Sequence, residues 1–353
     1  MKKTTRVRHR ERLRLVVFAL VGGCLLFQLS CTNLKVALKK AERVLWQEKP
    51  MVPFEFRSKE YIVYRLRGGE TPMTLAEKFL GGKHRSWVIE DANEGIEFKR
   101  NNTIIIPLKA ENKGGLTMDG YQVVPIISYH HFAKKCRSNL CISSRVFDQQ
   151  MKYLKDNGYK VITMGELLGF LQYRHAIPKK SVVITIDDGY RSAYDVAYPI
   201  LKKYGFTAIL FLYTDYVGVS KSAITWDQLR EMKADGFEVG SHTVSHCDLT
   251  KRMAGDHDQD YLARVQKELV ESKKIIDEEL KQDTICIAYP YGRYNVRILN
   301  LCEQAGYKIG VSAKRGGDAF FADPLILDRN QILKSDMQTF IVNLKTFNKF
   351  SLK

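Results

Sequence analysis

Short apolar runs alternate with helical periodicity through most of the chain beyond residue 122. In the helical stretches apolar residues recur one turn apart, as in Phe147, Met151 and Leu154, and the longest such stretch covers residues 261–280. This alternation predicts a parallel α/β sheet, and seven or eight strands in about 230 residues favour closure into a barrel. The predicted strands cover residues 123–128, 159–163, 182–186, 208–212, 237–240, 285–288 and 308–312.

An earlier segment, residues 61–109, shows a different order of patterns. They predict a βααβ unit with strand, turn, helix, helix and strand at residues 61–66, 67–69, 71–79, 87–92 and 103–107. The unit resembles a LysM module through Gly69, Glu70, Thr71, Leu75, Phe79, Ile89, Asn93, Ile106 and Pro107. The resemblance implies binding of glycans that contain N-acetylglucosamine. The alternative is a small structural unit without a ligand.

The first 31 residues have the layout of a secretory signal. A strongly basic stretch, residues 1–14, precedes an uncharged apolar run at 15–27, which is shorter than a membrane-spanning helix. Cys24 and Cys31 each follow small residues and resemble the site at which bacterial lipoproteins are cut and lipidated. A simple secreted protein and an uncleaved signal-anchor stay open as alternatives. All three alternatives place the body of the protein outside the cytoplasm. The prediction is an exported protein of the cell envelope that contacts the membrane through the N-terminal segment or a lipid.

Composition narrows the classes of protein that remain. The 353 residues are 45% hydrophobic and 27% charged, an ordinary globular composition that excludes a disordered or collagen-like chain. The formal net charge is +17, and +6 of it lies in residues 1–14. The remainder predicts attraction to anionic envelope surfaces and no nucleic-acid partner, because no basic helix interleaved with aromatic residues is present.

The cysteines give a further indication of compartment. Cys136 and Cys141 lie close together in a polar loop and can form a local disulfide under oxidising conditions. Cys247, Cys286 and Cys302 lie within or beside apolar segments, which predicts small buried residues. The sequence contains no CxxC pair, the pattern that would suggest a zinc site with thiolate ligands.

Polar residues follow three of the predicted strands directly. The apolar runs end in TIDDG, in SHTVSH and in AYPYG, which contain Asp187 and Asp188, His242 and His246, and Tyr291. In a parallel barrel the active site forms at the carboxyl ends of the strands, so these residues are expected to converge.

The spacing of the two histidines indicates a metal site. His242 and His246, at i and i+4, can present both imidazoles to one ion if the loop begins a helical turn there. Asp188 adds a carboxylate, and two histidines with one carboxylate and open positions are typical of catalytic zinc. Such a set also accepts cobalt, nickel or manganese. Asp187 then remains free to act as a general base.

Together the three motifs resemble those of the polysaccharide deacetylase family, also called the NodB homology domain or carbohydrate esterase family 4, over about residues 123–344. The resemblance implies a distorted (β/α) barrel of about seven strands that uses a divalent metal to hydrolyse N-acetyl groups of N-acetylglucosamine polymers or O-acetyl groups of xylan. Carried onto this chain, Asp187 is the base and Asp188, His242 and His246 are the metal ligands. The backbone N–H of Tyr291 is the oxyanion donor.

Two positions depart from the family pattern. Ala288 stands where many members have arginine, and no histidine follows His257 to serve as the usual late general acid. His130, at the end of the first predicted barrel strand, resembles the acid of the branch that deacetylates extracellular poly-N-acetylglucosamine. Its neighbour His131 is predicted to point away from the pocket. Arg329, after the apolar residues 325–327, resembles the arginine of the family's fourth motif, which implies that it orients Asp187; an ordinary surface salt bridge is the alternative.

These observations predict an exported, metal-dependent polysaccharide N-deacetylase. The alternative is a non-catalytic glycan-binding scaffold of the cell envelope. The substrate stays open between peptidoglycan, which a LysM module favours, and a poly-N-acetylglucosamine exopolysaccharide, which the motif variants favour. The predicted order is a signal or lipoprotein-like segment, a spacer, the LysM-like unit, a linker and the catalytic domain, at residues 1–31, 32–60, 61–109, 110–122 and 123–353.

Overall fold

The structure is a computed structural model that describes residues 56–109, 112–333 and 336–350. The predicted signal segment and most of the predicted spacer lie outside these residues. In the ranges that are described, no helix combines the length and the hydropathy needed to cross a membrane.

The N-terminal unit is a three-stranded antiparallel sheet with two helices. The strand order is β1-β2-β3, and the helices lie between the second and third strands along the chain. The elements are β1 (Phe56–Arg57), β2 (Tyr61–Arg65), α1 (Pro72–Leu80), α2 (Ser86–Ala92) and β3 (Thr103–Pro107).

Local sequence fixes the helices of this unit. Thr71 caps α1 by accepting a hydrogen bond from the Thr74 amide, and Gly81 ends the helix in the left-handed conformation at φ 83°. The buried Asn93 side chain donates to the carbonyls of Ile89 and Ile105 at 2.7 and 2.6 Å, and accepts from the Ile105 amide at 2.8 Å. These three bonds fasten the end of α2 to β3.

The second unit contains the remaining elements, which alternate along the chain. Its strands are β4 (Leu116–Thr117), β5 (Gly120–Val124), β6 (Ile126–Tyr129), β7 (His131–Ala133), β8 (Cys141–Ser143), β9 (Lys160–Val161), β10 (Ser181–Asp187), β11 (Ile209–Leu212), β12 (Glu238–Ser241), β13 (Cys286–Ala288), β14 (Ile309–Val311), β15 (Asp318–Ala319), β16 (Asn330–Gln331) and β17 (Phe347–Lys349). Its helices are α3 (Ser144–Asp156), α4 (Met164–Leu171), α5 (Tyr198–Tyr204), α6 (Trp226–Ala234), α7 (Asp258–Leu280), α8 (Val296–Gln304) and α9 (Met337–Val342).

The central sheet is a curled half-barrel of seven parallel strands. Their order is β14-β13-β12-β11-β10-β6-β16, and the short β9 pairs with the start of β10. The two ends of the sheet approach each other at a parallel bridge between Val311 and Leu327. The predicted α/β architecture of about seven parallel strands is therefore confirmed, and the predicted distorted barrel takes the form of a curled half-barrel.

The prediction of one strand over residues 123–128 is wrong. Pro125 has no N–H group and cannot continue a ladder, so the segment divides into β5 and β6. β5 pairs antiparallel with β4, β15 and β17, whereas β6 pairs parallel with β10 and β16. This division places β6 in the central sheet, with His130 directly after its last residue.

Strand β10 lies at the middle of the core. All seven of its residues are buried, because helices cover one face and the barrel interior covers the other. Val182, Ile184 and Ile186 pack among the residues beneath the helices. Val183 packs in the interior with Phe211. Since alternate residues share a face, Asp187 ends the interior row that contains Val183 and Thr185.

The N-terminal unit contacts the amino-terminal side of this sheet. Asp91 Oδ2 accepts a hydrogen bond from the Lys179 amide at 3.0 Å, and Lys179 Nζ donates to the Asp91 carbonyl at 3.0 Å. Lys160 and Glu90 form an ion pair at 2.6 Å. Lys179 lies two residues before the first residue of β10, so this contact lies at the opposite end of the strand from Asp187.

Candidate active site

The carboxyl ends of the central strands surround a cavity of about 140 Å³. It brings together all seven residues that the sequence predicted for the site, along with four others. The lining residues are His130, Leu140, Asp187, Asp188, His242, His246, Tyr289, Tyr291, Gly292, Arg329 and Gln331.

Asp187 is held from the inside of the barrel. Arg329 Nη1 donates to Asp187 Oδ1 at 2.7 Å and to Thr185 Oγ1 at 3.2 Å, while its Nε donates to the Ser312 carbonyl at 2.8 Å. Arg329 is only 1% exposed, so the alternative of a surface salt bridge is wrong. Thr185 and Asp187, both in the interior row of β10, thus accept hydrogen bonds from one buried guanidinium.

This pairing sets the ionisation of Asp187. Burial alone would raise the pKa of the carboxyl, but the positive charge of Arg329, the nearby His242 and His130, and the Arg329 hydrogen bond lower it to about 2. Asp187 is therefore a carboxylate at neutral pH.

Asp188, His242 and His246 form a second group whose potential ligand atoms all lie within 4.8 Å of one another. His242 Nε2 and His246 Nε2 are 3.7 and 3.5 Å from Asp188 Oδ1. The Nδ1 of His242 lies 2.7 Å from the Ala288 carbonyl, which selects the tautomer that donates from Nδ1. The Nε2 lone pair of His242 then faces Asp188.

The electrostatics of this group fit a divalent cation. Burial, reinforced by the Asp187 carboxylate, raises the pKa of Asp188 to about 6. Burial lowers the pKa of His242 to about 4 and also lowers that of His246. Two neutral imidazoles beside a destabilised carboxylate are a donor set that a cation would stabilise, and nitrogen with oxygen donors suits zinc and its neighbours.

Backbone strain is concentrated in the same loops. Seven non-glycine residues among the described ranges have positive φ, and four of them lie at this site: Asp188, Thr243, His246 and Tyr291, at 74°, 71°, 59° and 59°. The turn at Asp188 moves its carboxyl to the same cavity as Asp187, although neighbouring residues of a strand point to opposite faces. Gly292 follows Tyr291 at φ 69°, and an added Cβ would lie 2.5 Å from Ala313.

A residue that the sequence prediction missed supports the metal-binding loop. Glu268 of α7 accepts hydrogen bonds from the amides of Val244 and Ser245 at 2.9 and 3.0 Å, and from Ser245 Oγ at 2.7 Å. Inside the loop, Thr243 Oγ1 accepts from the His246 amide at 3.1 Å. The carboxylate therefore holds the segment that separates the two histidines. Its position next to Leu269 and about one helical turn after Val265 gives no sequence signal beyond that of an ordinary helix glutamate.

The two adjacent histidines after β6 have different surroundings. His130 is buried, and its Nε2 lies 3.8 Å from Asp187 Oδ2 in the cavity. His131 is half-buried and its ring packs edge-on against Tyr190 at 5.2 Å between centroids, away from the cavity lining.

The mouth of the cavity has a loop on one side and an exposed ring on another. Cys136 and Cys141 form a disulfide, and the amide of His131 donates to the Leu140 carbonyl at 3.1 Å. Leu140 thereby enters the cavity wall. The ring of Tyr291 is 62% exposed and packs against the His246 ring at 4.9 Å between centroids.

Known proteins resemble this chain in sequence. A family model described as polysaccharide deacetylase matches residues 174–310. The Bacillus subtilis protein YxkH is 37% identical over 193 residues, which are 55% of this chain and 65% of YxkH, so the chain spans slightly less than two thirds of that relative. A poly-β-1,6-N-acetyl-D-glucosamine N-deacetylase of Staphylococcus aureus is 29% identical over 238 residues, 66% of this chain and 79% of the relative.

A solved structure gives the corresponding likeness in three dimensions. The Streptococcus pyogenes deacetylase PplD, in complex with acetate, is 32% identical with a TM-score of 0.58, and the match covers 64% of this chain and 99% of PplD. The family model and these relatives are deacetylases, and polysaccharide N-deacetylases are hydrolases that act on carbon–nitrogen bonds. The comparisons therefore confirm the enzyme class predicted from the sequence. The chain belongs to the polysaccharide deacetylase family.

Proposed function

We propose that this protein removes N-acetyl groups from a polysaccharide that contains N-acetylglucosamine and that it requires a divalent metal ion. The observation that carries the proposal is the meeting of an arginine-paired carboxylate, Asp187, with the ligand set of Asp188, His242 and His246 in one cavity. The names of the relatives support it, since the S. aureus relative acts on such a polymer and the PplD structure contains acetate.

Asp188, His242 and His246 would hold the metal. Zinc is the expected ion, and cobalt, nickel or manganese also suit these donors. The ion would supply a Lewis acid that polarises the acetamide carbonyl and acidifies the attacking water.

The other residues of the cavity move protons and stabilise charge. Asp187 would accept the proton of the attacking water, and Arg329 would keep this carboxylate ionised and aimed into the cavity. His130, on the same side of the cavity, would donate the proton that the departing amine requires. The Tyr291 N–H would donate to the developing oxyanion.

The polymer is proposed to be poly-β-1,6-N-acetylglucosamine first and peptidoglycan second. The S. aureus relative carries the former substrate in its name, and the Tyr129-His130 and AYPYG variants resemble that branch of the family. The N-terminal unit would bind N-acetylglucosamine as a LysM-like module.

The proposed location is the cell envelope, with the N-terminal segment or a lipid as the anchor. The Cys136–Cys141 disulfide supports an oxidising compartment. The basic residues 1–14 and the apolar run after them support export.

Acetate release from the two polymers tests the proposal. Purified protein is assayed with poly-β-1,6-N-acetylglucosamine and with peptidoglycan, before and after chelation and after return of zinc, cobalt, nickel or manganese. We expect release that chelation abolishes and metal restores. Release from neither polymer with any of these metals would favour the non-catalytic glycan-binding scaffold.

A further inference from the structure

Aromatic side chains form a continuous arc that leads outward from the active-site cavity, and His246 and Tyr291 at one end of the arc line the cavity itself. The arc consists of Tyr190, Tyr216, Tyr213, His246 and Tyr291. Successive ring centroids are 5.8, 5.1, 5.4 and 4.9 Å apart in that order.

The order of the rings follows the order of the strands. Tyr190 follows β10, Tyr213 and Tyr216 follow β11, His246 follows β12 and Tyr291 follows β13, and these four strands are consecutive neighbours in the sheet. Four loops that meet at one end of the sheet thus each contribute to a single aromatic surface. Tyr190 lies two residues after Asp188, and the ring of Tyr213 packs against that of His246, so both rings adjoin the proposed metal-binding residues.

The three tyrosines before His246 have no part in the chemistry assigned to the cavity. Tyr190, Tyr213 and Tyr216 are half-buried, so each ring packs on protein along part of its surface and meets solvent along the rest.

We propose that this arc binds the sugar rings next to the one that loses its acetyl group, and so forms the subsites for a hexosamine polymer. Pyranose rings present apolar C–H faces that pack on aromatic rings, while their hydroxyl groups can bond to phenolic hydroxyls at the polar tips. The inference rests on the proposed function, because it takes the ligand of the arc to be the polysaccharide that is deacetylated at the metal-binding residues. The arc leads from the β10 loop directly to those residues. The inference predicts that the polymer lies across the loops after β10 and β11.

The test compares two substitutions of Tyr216 on ligands of increasing length. Tyr216→Leu removes the ring and Tyr216→Phe keeps it; Tyr204→Leu, at the end of α5, is the matched control. Binding of N-acetylglucosamine oligomers of one to five sugars is measured by calorimetry on metal-stripped protein, and acetate release is measured separately on metal-loaded protein. We expect Tyr216→Leu to weaken binding of the pentamer by about tenfold more than that of the monomer, and Tyr216→Phe to restore most of the loss.

Several results would overturn the inference. Equal pentamer affinity in the wild type and Tyr216→Leu, an equal loss in Tyr216→Phe or Tyr204→Leu, or no pentamer binding by the wild type would each remove the arc as a binding surface. Length-dependent binding that Tyr216→Leu abolishes, in a protein that releases no acetate, would support the arc and contradict the proposed deacetylation.

Discussion

Asp187 and Asp188 are adjacent in sequence and have opposite electrostatic environments. The pKa of Asp187 is lowered to about 2 beside a buried arginine, whereas burial raises that of Asp188 to about 6 beside two neutral imidazoles. One carboxylate is stabilised by the protein, and the other requires a cation for the same stabilisation. This separation assigns a different role to each acid.

The ligand residues are expected to control metal binding individually. Asp188→Ala, His242→Ala and His246→Ala should each lose the metal and keep the fold, because these side chains lie in loops above the core. Elemental analysis of the purified variants checks metal content, and circular dichroism checks the fold. His257→Ala, at an exposed position, is the control and should retain the metal. Metal near the wild-type amount in a ligand variant would remove that residue from the site.

His130 is expected to affect amide substrates selectively. His130→Ala should retain the metal but lose about 10²- to 10⁴-fold in turnover on an N-acetyl substrate, because the amine cannot leave unprotonated. An activated aryl acetate should lose far less, since its leaving group departs as an anion.

The adjacent histidine is the control for this experiment. His131→Ala should change little in either assay, because its ring packs on Tyr190 outside the cavity lining. If His130→Ala loses turnover equally on the amide and the ester, or loses the metal, His130 binds or positions the metal or the substrate and does not donate the proton.

Asp318 predicts a pH dependence of stability that is separate from the metal site. It is 4% exposed, one carboxylate oxygen has no partner, and burial raises its pKa to about 7. Between the unfolded pKa of about 4 and the folded value, the folded state holds a proton that the unfolded state has released, so stability falls as pH rises.

Asp318→Asn should remove this dependence. The asparagine oxygen can still accept the Asp328 amide hydrogen bond, at 3.0 Å in the wild type, without a charge to desolvate. From pH 5 to 7 the free energy of unfolding of the variant should rise relative to that of the wild type, by at most about 1.4 kcal/mol for each pH unit. Urea unfolding at several pH values measures the gain, and a constant difference across this range would contradict the raised pKa.

At the scale of elements, periodicity predicted the strands and helices that have enough residues to show it. It did not predict β16, which has two residues and therefore no period. Yet β16 directly follows Arg329, which the sequence could name only through the family resemblance. The contacts of Arg329 with Asp187 and Thr185 join residues 142 and 144 positions apart, and contacts between residues so distant in sequence leave no local sequence pattern. The positive φ values of Asp188 and His246 likewise depend on tertiary contacts.

Helix α7 and the loop after β12 act as one unit through Glu268. Glu268→Ala should weaken zinc binding by about 10- to 100-fold, because the segment between His242 and His246 loses three hydrogen bonds to one carboxylate. Glu268→Gln should keep most of the affinity, since its amide oxygen can still accept the backbone N–H groups. Titration with a zinc indicator measures the affinity without reference to activity.

A second glutamate of the same helix gives the matched control. Glu278 is exposed, and Glu278→Ala should bind zinc as the wild type does. Wild-type affinity in Glu268→Ala would mean that the contacts inside the loop, such as Thr243 Oγ1 with the His246 amide, are enough to hold it.

At the scale of the whole molecule, the N-terminal unit and the active site lie at opposite ends of the central sheet. Asp91 contacts Lys179 before β10 begins, and Asp187 ends that strand. The seven residues of β10 therefore separate the Asp91–Lys179 contact from the active site by about 20 Å. This contact joins residues 88 positions apart, so the sequence patterns predicted each unit and not their arrangement.

The separation predicts how the N-terminal unit contributes to catalysis. If it binds glycan, a short oligomer cannot reach both places, and only a long polymer can benefit from the second attachment. Removal of residues 1–111 should therefore leave kcat/KM for a pentasaccharide within about twofold of the full chain. For the polymer, apparent affinity should fall by about tenfold or more, because two attachments become one. Acetate release from both substrates measures the two effects, and a thermal melt verifies that the shortened protein unfolds cooperatively. A similar loss on pentasaccharide and polymer would show instead that the unit supports the barrel itself, through contacts such as that of Asp91 with Lys179.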